Sequence, residues 1–444
     1  MESNPADLPQ PFRPRHTNAQ RAILGLNIVV VLACIAGAVA MFYGKAQLDD
    51  RLVTNGIALN TTIATVPRTT APSDTIGVTS STGVPETFPA ADPQAQNFLI
   101  VGSDANACVD ADSPWAGAAD PTRENIGNRS DTIMVMRLDP VTRTAAILSF
   151  PRDLWIPIPG KGKGRINSAY IKNDPSLLTQ TLYENFGIQI NHYIQVDFCA
   201  FKRIVDAVGG VAVPFSTPIV DKNVNINIPN AGCHTFSGDE ALAYVRSRHL
   251  KWVDANGKTH EDTGYDLARI SRQQDFLRRT LRAALEKGVF DPAVARALIE
   301  SLQTDIVTEQ GFTVNNMLEF AGVLKDIDPA GIQTYQIEAS RLIVSGNDVL
   351  EPKVKGDNMK AILAIFRGEA PLAGAPEQAF ESTTTSSSTT TSTTLRPGAS
   401  TPTTATTTTV APATTIPGTT TTAVPEPEQN VKGDIVPDPN ITCD

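Results

Sequence analysis

The chain has 444 residues, 41% of them apolar and 19% charged, and carries a formal net charge of −10 at pH 7. That length allows one large domain or two to three ordinary ones. The acidic balance excludes a general nucleic-acid binder, which presents a basic face, so no nucleic-acid partner is expected.

Residues 1–21 are polar and contain Arg13, Arg15 and Arg21. Ala22–Tyr43 is uncharged, mostly apolar and long enough to cross a bilayer. Only Lys45 follows it closely, which predicts a cytoplasmic N-terminus and an external remainder. Ala38-Val39-Ala40 resembles a signal-peptide cleavage site, the competing reading. The apolar run continues past that site and is long for a signal core, which favours an uncleaved anchor. Residues 44–95, rich in Thr, Ser and Pro, read as a flexible stalk. Residues 96–370 carry regular periodicity and nearly all the aromatics, and are expected to be the folded domain. Residues 371–444 include ESTTTSSSTTTSTTL and TPTTATTTTV. They read as a disordered Thr/Ser/Pro tail, suited to wall-spanning or O-glycosylation.

Of five cysteines, Cys34 falls in the apolar span. Cys108, Cys199, Cys233 and Cys443 would face an oxidising exterior, where disulfides persist. Cys199–Cys233 is the expected bridge, because both flank one helix–strand unit; sequence leaves Cys108 and Cys443 unassigned. No cysteine or histidine spacing suits zinc.

Within the domain, Phe98–Val101 predicts a buried strand running into Gly102-Ser103-Asp104. Ala105–Asn128 reads as a long loop. Thr132–Leu138 and Thr144–Phe150 predict a hairpin turning at Asp139-Pro140, and Pro151-Arg152-Asp153 ends its second strand. Gly160–Gly164 reads as a mobile lysine-glycine loop. Asp197–Val208 predicts an amphipathic helix stopped by Gly209-Gly210, before a strand at Val211–Val213. Ser237-Gly238-Asp239-Glu240 matches a capping box opening a helix from Gly238 to about Ser247. Leu267, Ile270, Leu277 and Leu281 form the apolar stripe of another helix. Further helices are expected near 291–303, 313–326 and 357–367, with a strand near 332–338. The fold class is therefore α/β, a central mixed sheet flanked by helices.

The chemistry concentrates in Tyr244–Gln274. YVRSRH and DLARISRQQDF bring Arg246, Arg248, Arg269 and Arg272 close together, beside Asp266, Gln273 and Gln274. Guanidinium forks match phosphate oxygens in pairs. Arg269 and Gln273, four apart, share a helix face and are expected to be half-buried. For any single arginine a surface carboxylate is the better assignment; for the set, a phosphate ligand is. Asp104, Arg129-Ser130-Asp131 and Arg152-Asp153 sit where strands end or begin, the usual place for ligands in such sheets. Two carboxylates there suit magnesium, which binds one or two carboxylates plus phosphate oxygens.

These motifs resemble the LytR–CpsA–Psr family of membrane-anchored phosphotransferases. The matching stretches are FLIVGSD, NRSDTIMV, SFPRDLWIPI, RINSAY, HYIQVDFCAFKRIVDAVGGVAV, FSGDEALAYVRSRH and DLARISRQQ, in family order over most of residues 96–280. The resemblance implies transfer of a glycan polymer from a polyprenyl-pyrophosphate carrier to peptidoglycan at the external face of a membrane. It implies that Asp104 and Asp131 hold magnesium, with manganese an alternative. Arg129, Arg152, Arg246, Arg248, Arg269 and Gln273 would bind the pyrophosphate, and Asp153 would orient them. Asp104, Asp131, Arg152 and Arg269 would be the catalytic residues, with either aspartate as the proton acceptor. One departure stands out: where many family members have a basic residue two positions after the first aspartate, this chain has Asn106. A pyrophosphatase using water, or an envelope regulator without turnover, are the alternatives. Arabinogalactan, teichoic acid and capsule are all compatible as the polymer.

Overall fold

The computed structural model describes residues 44–52, 56–58, 94–103, 108–116 without 111, 130–288 without 263, and 305–379. It also describes parts of 291–301 and 434–443, and the backbone of two paired strands, Ile76–Thr79 and Pro85–Phe88. The Ala22–Tyr43 span lies outside these residues. No described helix is long and apolar enough to cross a membrane.

Six strands form the central sheet. β1 is Gln96–Ser103, β2 Ser130–Asp139 and β3 Thr144–Ser149. β4 is His192–Asp197, reached through helix α1, Ser176–Phe186. Helix α2, Phe198–Ala207, leads into the pair β5, Val211–Phe215, and β6, Gly232–Phe236. Two helices follow: α3, Gly238–Arg246, and the long α4, Tyr265–Lys287. β7 is Ile306–Thr308, α5 Val314–Lys325, β8 Gln333–Gln336, and α6 Asp357–Arg367. The sheet order is β7–β4–β1–β2–β3–β8, with β1–β4 and β3–β8 parallel and the remaining pairs antiparallel.

The central strands read as continuous apolar runs because both faces are covered. Leu99, Val101, Ile133, Val135 and Leu148 pack with Leu178, Leu182 and Phe186 of α1 and Met359, Ile362 and Phe366 of α6. Alternate residues Phe98, Met134, Leu138 and Ile147 face the opposite side, against Leu277 and Leu281 of α4 and Met317 and Phe320 of α5. Period-two strands between helical stripes give the expected three-layer mixed α/β arrangement.

Several sequence expectations need correction. Gly160–Gly164 is not simply a loop: Gly162–Arg165 is a strand paired with Trp155–Ile158, Ile156 opposite Gly164. Glycines hid the period-two signal there. Ser237 sits at the N-cap of α3 but makes no side-chain capping bond. Instead Asp206 Oδ1 accepts from Gly238 N at 2.7 Å, and Glu240 is held by His234 at 2.9 Å. A Cβ on Gly238 would lie 2.7 Å from Lys202 O, so α2 and α3 touch only because this residue is glycine.

The expected Cys199–Cys233 bridge is also wrong. The disulfides are Cys108–Cys199 and Cys233–Cys443, with Cα separations of 5.2 and 5.7 Å. Cys199 is buried in the first turn of α2, whereas Cys233 lies opposite Pro214, past the far end of that helix. Neighbours in sequence are here on opposite ends of one unit. A non-reducing peptide map should recover 108–199 and 233–443 as the linked pairs; a 199–233 peptide would overturn this pairing.

The stalk and tail boundaries shift for the same reason. Residues 44–52 are helical, Leu48 and Leu52 are buried, and Asp49 Oδ1 accepts from Val314 N at the start of α5. Ile57 bridges beside β7, accepting from Gln310 N at 2.8 Å. At the other end, Leu372 is buried, Gln378 bonds Gln336, and Ile435 and Cys443 pack on the domain. The 44–95 stalk and 371–444 tail are therefore docked at these points, leaving residues 380–433 outside the described structure.

Candidate active site

The site forms where β1 and β3 end and β2 begins. The single hydroxyl proton of Ser130 is shared between Gly102 O, 3.0 Å from Oγ, and Thr132 O, 2.7 Å away, which ties the start of β2 to β1. This presents Asp131 at the end of the sheet, its side chain 15% exposed. β3 leaves through Phe150-Pro151, whose turn returns Arg152 towards Asp131; Leu154 N donates to Pro151 O at 3.1 Å. The Trp155–Arg165 hairpin holds the turn, with Asn167 N donating to Arg152 O at 3.2 Å.

Arg152 Nη1 donates to Asp131 Oδ1 at 2.6 Å. Arg248, two residues beyond α3, donates through Nη2 to Asp131 Oδ2 at 3.3 Å. From α4, Arg269 Nη2 donates to the Asp131 carbonyl at 3.2 Å, and its Nη1 is 3.9 Å from Oδ2. The structure thus joins Asp131, Arg152, Arg248 and Arg269 from three separated stretches. Asp153 belongs too, 3.3 Å from Arg152 Nε.

The sequence reading gives two members no role: Asp266, noted only as a neighbour of the arginines, and Arg165. Asp266 Oδ1 is 2.9 Å from Arg269 Nη2 and 3.7 Å from Arg248 Nε. Its signal was the three-residue spacing to Arg269 on one helix face. Arg165 Nε pairs with Asp153 at 3.1 Å; a glycine-flanked basic residue gave no helical or strand signal to place it. Among the described residues, four guanidiniums thus share three carboxylates.

Other expectations change. Arg269 is 1% exposed, not half-buried, because Asp131 and Asp266 enclose its guanidinium while Leu277 and Leu281 of the same helix pack on a face of the sheet. Arg246 sits with Cζ 4.5 Å above the Phe198 ring. Gln273 acts as a strut in this state: Nε2 donates to Val245 O at 3.0 Å and Oε1 accepts from Thr132 Oγ1 at 3.3 Å. Arg272 and Gln274 turn inward, Arg272 to Asp262 at 2.7 Å and Gln274 Nε2 to Ser149 Oγ and Tyr335 O, both at 2.7 Å. Asp104, Asn106 and Arg129 lie outside the described residues.

Burial alone would push the Asp131 carboxyl up, but Arg152, Arg269 and Arg248 outweigh it and hold it down to about 2. Burial and the neighbouring Arg269 and Arg152 push the Arg248 guanidinium down. For Arg152, burial opposes the charge, but Asp131, Asp266 and Asp153 together raise it. A carboxyl held below its unfolded value of 3.8 adds stability that is full above that value and lost as pH falls through about 2. The contribution is about 2 kcal/mol. The stability gap between wild type and Asp131→Asn, measured by denaturant unfolding, should therefore narrow between pH 5 and pH 2. A constant gap would refute this charge coupling.

Asp131, Asp153 and Asp266 are hard oxygen donors of the kind magnesium takes. Among the described residues, the one place where three ligand-type atoms lie within 4.8 Å of one another is elsewhere, at Asp197, Cys199 and Asp305. There Cys199 is in a disulfide, Asp197 caps α2 through Ala200 N, and Asp305 pairs with Arg203, so this is not a metal centre.

The LytR_cpsA_psr family matches residues 63–364, more than half the chain. The protein belongs to this family. It is 36% identical over 199 residues to a probable cell wall biosynthesis protein, LcpB, of Corynebacterium glutamicum, covering 43% of this chain and 42% of that one. It is 35% identical over 151 residues to the regulatory protein MsrR of Staphylococcus aureus, 34% of this chain and 42% of that one. It is 29% identical over 219 residues to the polyisoprenyl-teichoic acid–peptidoglycan teichoic acid transferase TagU of Oceanobacillus iheyensis, 47% of this chain and 62% of that one. The match thus spans roughly half the length of these relatives. In this LytR–CpsA–Psr protein, the matched region contains every described residue of the arginine–carboxylate network.

Proposed function

We propose that this protein is a phosphotransferase that moves a glycan polymer from a polyprenyl-pyrophosphate carrier onto peptidoglycan. The carrying observation is the convergence of Arg152, Arg248 and Arg269 on the half-buried Asp131 at the sheet end. An anionic donor offers these guanidiniums a second set of oxygens, and phosphate oxygens suit their forks in pairs. The transferase named among its relatives supports the reaction class. The apolar run at Ala22–Tyr43 supports an anchor that keeps the domain at the outer face of the membrane, beside its lipid-linked donor.

In this mechanism Arg152 and Arg248, whose side chains are 20% and 30% exposed, swing from Asp131 and Asp266 onto the pyrophosphate. Arg269 stays buried, with its fork fixed by Asp266. An acceptor hydroxyl on peptidoglycan attacks the phosphorus that carries the glycan. A phosphodiester forms, the bond to the bridging oxygen breaks, and polyprenyl phosphate leaves with its charge met by the arginines. Asp131 is a poor base while the arginines hold it near 2. Their departure onto the donor frees its oxygens for a cation, and whichever of Asp131 and Asp104 is the less engaged accepts the acceptor's proton. Asp131 would hold magnesium, with Asp104 supplying the second carboxylate; manganese suits the same donors. The ion would neutralise pyrophosphate charge.

The test is the full-length protein in lipid with a lipid-linked glycan donor and peptidoglycan, following polyprenyl phosphate and wall-bound polymer. EDTA should stop both and magnesium should restore them, and Asp131→Ala should lose the magnesium response. Polyprenyl phosphate without bound polymer would make it a pyrophosphatase. Neither product, from folded protein, would leave a regulator.

A further inference from the structure

Helix α4 carries arginines on two faces. Arg269 meets Asp131 and Asp266, whereas Arg272, three residues on, turns away from the site and is 1% exposed. Arg272 donates to Asp262 Oδ2 and to Ser247 O, each at 2.7 Å. Ser247 ends α3 and directly precedes Arg248, so the carbonyl that Arg272 grips is one peptide away from a site arginine. Asp262 also accepts from Gly264 N at 3.2 Å, at the mouth of α4, and donates its own N–H to Leu250 O at 3.0 Å. One buried ion pair therefore fixes both ends of the segment between the two arginine-bearing helices.

The described residues of 434–443 close over that ion pair. Asp434 N donates to Asp262 Oδ1 at 3.0 Å. Ile435 is buried in the cluster with Phe236, Tyr244 and Phe276. Arg279 of α4 donates to Asp438 O at 2.9 Å and Ile441 O at 3.0 Å. Cys443 is bonded to Cys233 on β6. A sequence whose composition supplies no core of its own is thus held by a disulfide, an apolar side chain and three hydrogen bonds.

We propose that residues 434–443 form a clasp that keeps the Asp262–Arg272–Ser247 relay dry and thereby positions Arg248 for the donor pyrophosphate. Asp262 and Arg272 are positioning residues in this scheme, which rests on the function proposed above. Without the clasp, water reaches Asp262 Oδ1 and competes for the Arg272 fork. The peptide bearing Arg248 then gains freedom. Displacement of a binding group by about 1 Å is enough to cost one to two orders of magnitude.

Two variants test it: the full chain with Cys443→Ser, and a chain ending at residue 433 that also carries Cys233→Ser. Calorimetry with inorganic pyrophosphate and magnesium should show about tenfold weaker binding. Hydrogen exchange should accelerate within 247–262, and KM for the lipid-linked donor should rise more than kcat falls. If the truncated chain does not fold, Cys443→Ser, which keeps Asp434 and Ile435, carries the test. Unchanged pyrophosphate affinity or unchanged exchange at 247–262, even with a lower melting temperature, would reduce the segment to a staple and overturn the proposal. A wild-type chain that binds no pyrophosphate would sink the site reading instead, and the exchange comparison would still decide whether the clasp holds 247–262.

Discussion

Arg269→Ala should lower turnover at least a hundredfold and also lower the melting temperature. Its guanidinium is 1% exposed and meets Asp266 at 2.9 Å and the Asp131 carbonyl at 3.2 Å. A charge-assisted bond of this kind contributes about 1.5–3 kcal/mol, which alone spans roughly ten- to two-hundredfold in rate. Arg269 also fixes the carboxylates from which Arg152 and Arg248 must turn, so its loss compounds. Removing it leaves Asp266 without its shortest ion pair, which is why stability should fall as well as rate. Arg269→Lys should restore stability more than turnover, because an ammonium supplies charge without the planar fork. The check is the rate of polyprenyl phosphate release by variants shown to be folded from their circular dichroism. A folded Arg269→Ala protein with the wild-type rate would place the chemistry elsewhere.

The sheet and its flanking helices were legible because their signals are local. QNFLIVGS and TIMVMRL are long apolar runs, and the helix expected near 357–367 is α6. The arginine cluster was legible in part, since Arg248, Arg152 and Asp131 do meet. Its depth was not. Periodicity places Arg269 at the edge of a stripe, but the packing of α4 against distant residues, Asp131 among them, decides that it is buried. The same packing sends Arg272 inward, although RISRQQ offers both arginines equally. Long-range pairings were illegible for a different reason. Nothing near Cys443 shows that the chain returns past a Thr-rich stretch to reach Cys233, and loop-closure entropy grows too slowly with length to forbid it. Gly162–Arg165 failed because a glycine-rich strand has no alternating side chains to read.

Asp262→Ala should cost about 3–5 kcal/mol of stability, the range for breaking a buried ion pair from one side. Asp262 and Arg272 are 2% and 1% exposed, and their 2.7 Å contact is the only ion pair of Arg272 among the described residues. Burial already pushes the Arg272 guanidinium down, and Asp262 is among the groups that offset it. Arginine cannot escape by losing its proton at accessible pH, so the uncompensated charge must be solvated by opening the structure around α3 and α4. For a domain of this size the loss corresponds to a drop of roughly 10 °C in melting temperature. The decisive comparison is the double substitution Asp262→Leu with Arg272→Met. Removing both charges removes the desolvation penalty as well as the attraction, so the double variant should recover most of the loss seen in Asp262→Ala. It should do so without recovering donor affinity, because neither new side chain can hold the Ser247 carbonyl beside Arg248. Should Asp262→Ala melt within a degree or two of wild type, Arg272 has found water or another partner. The junction between the two arginine-bearing helices would then be held by its apolar contacts alone.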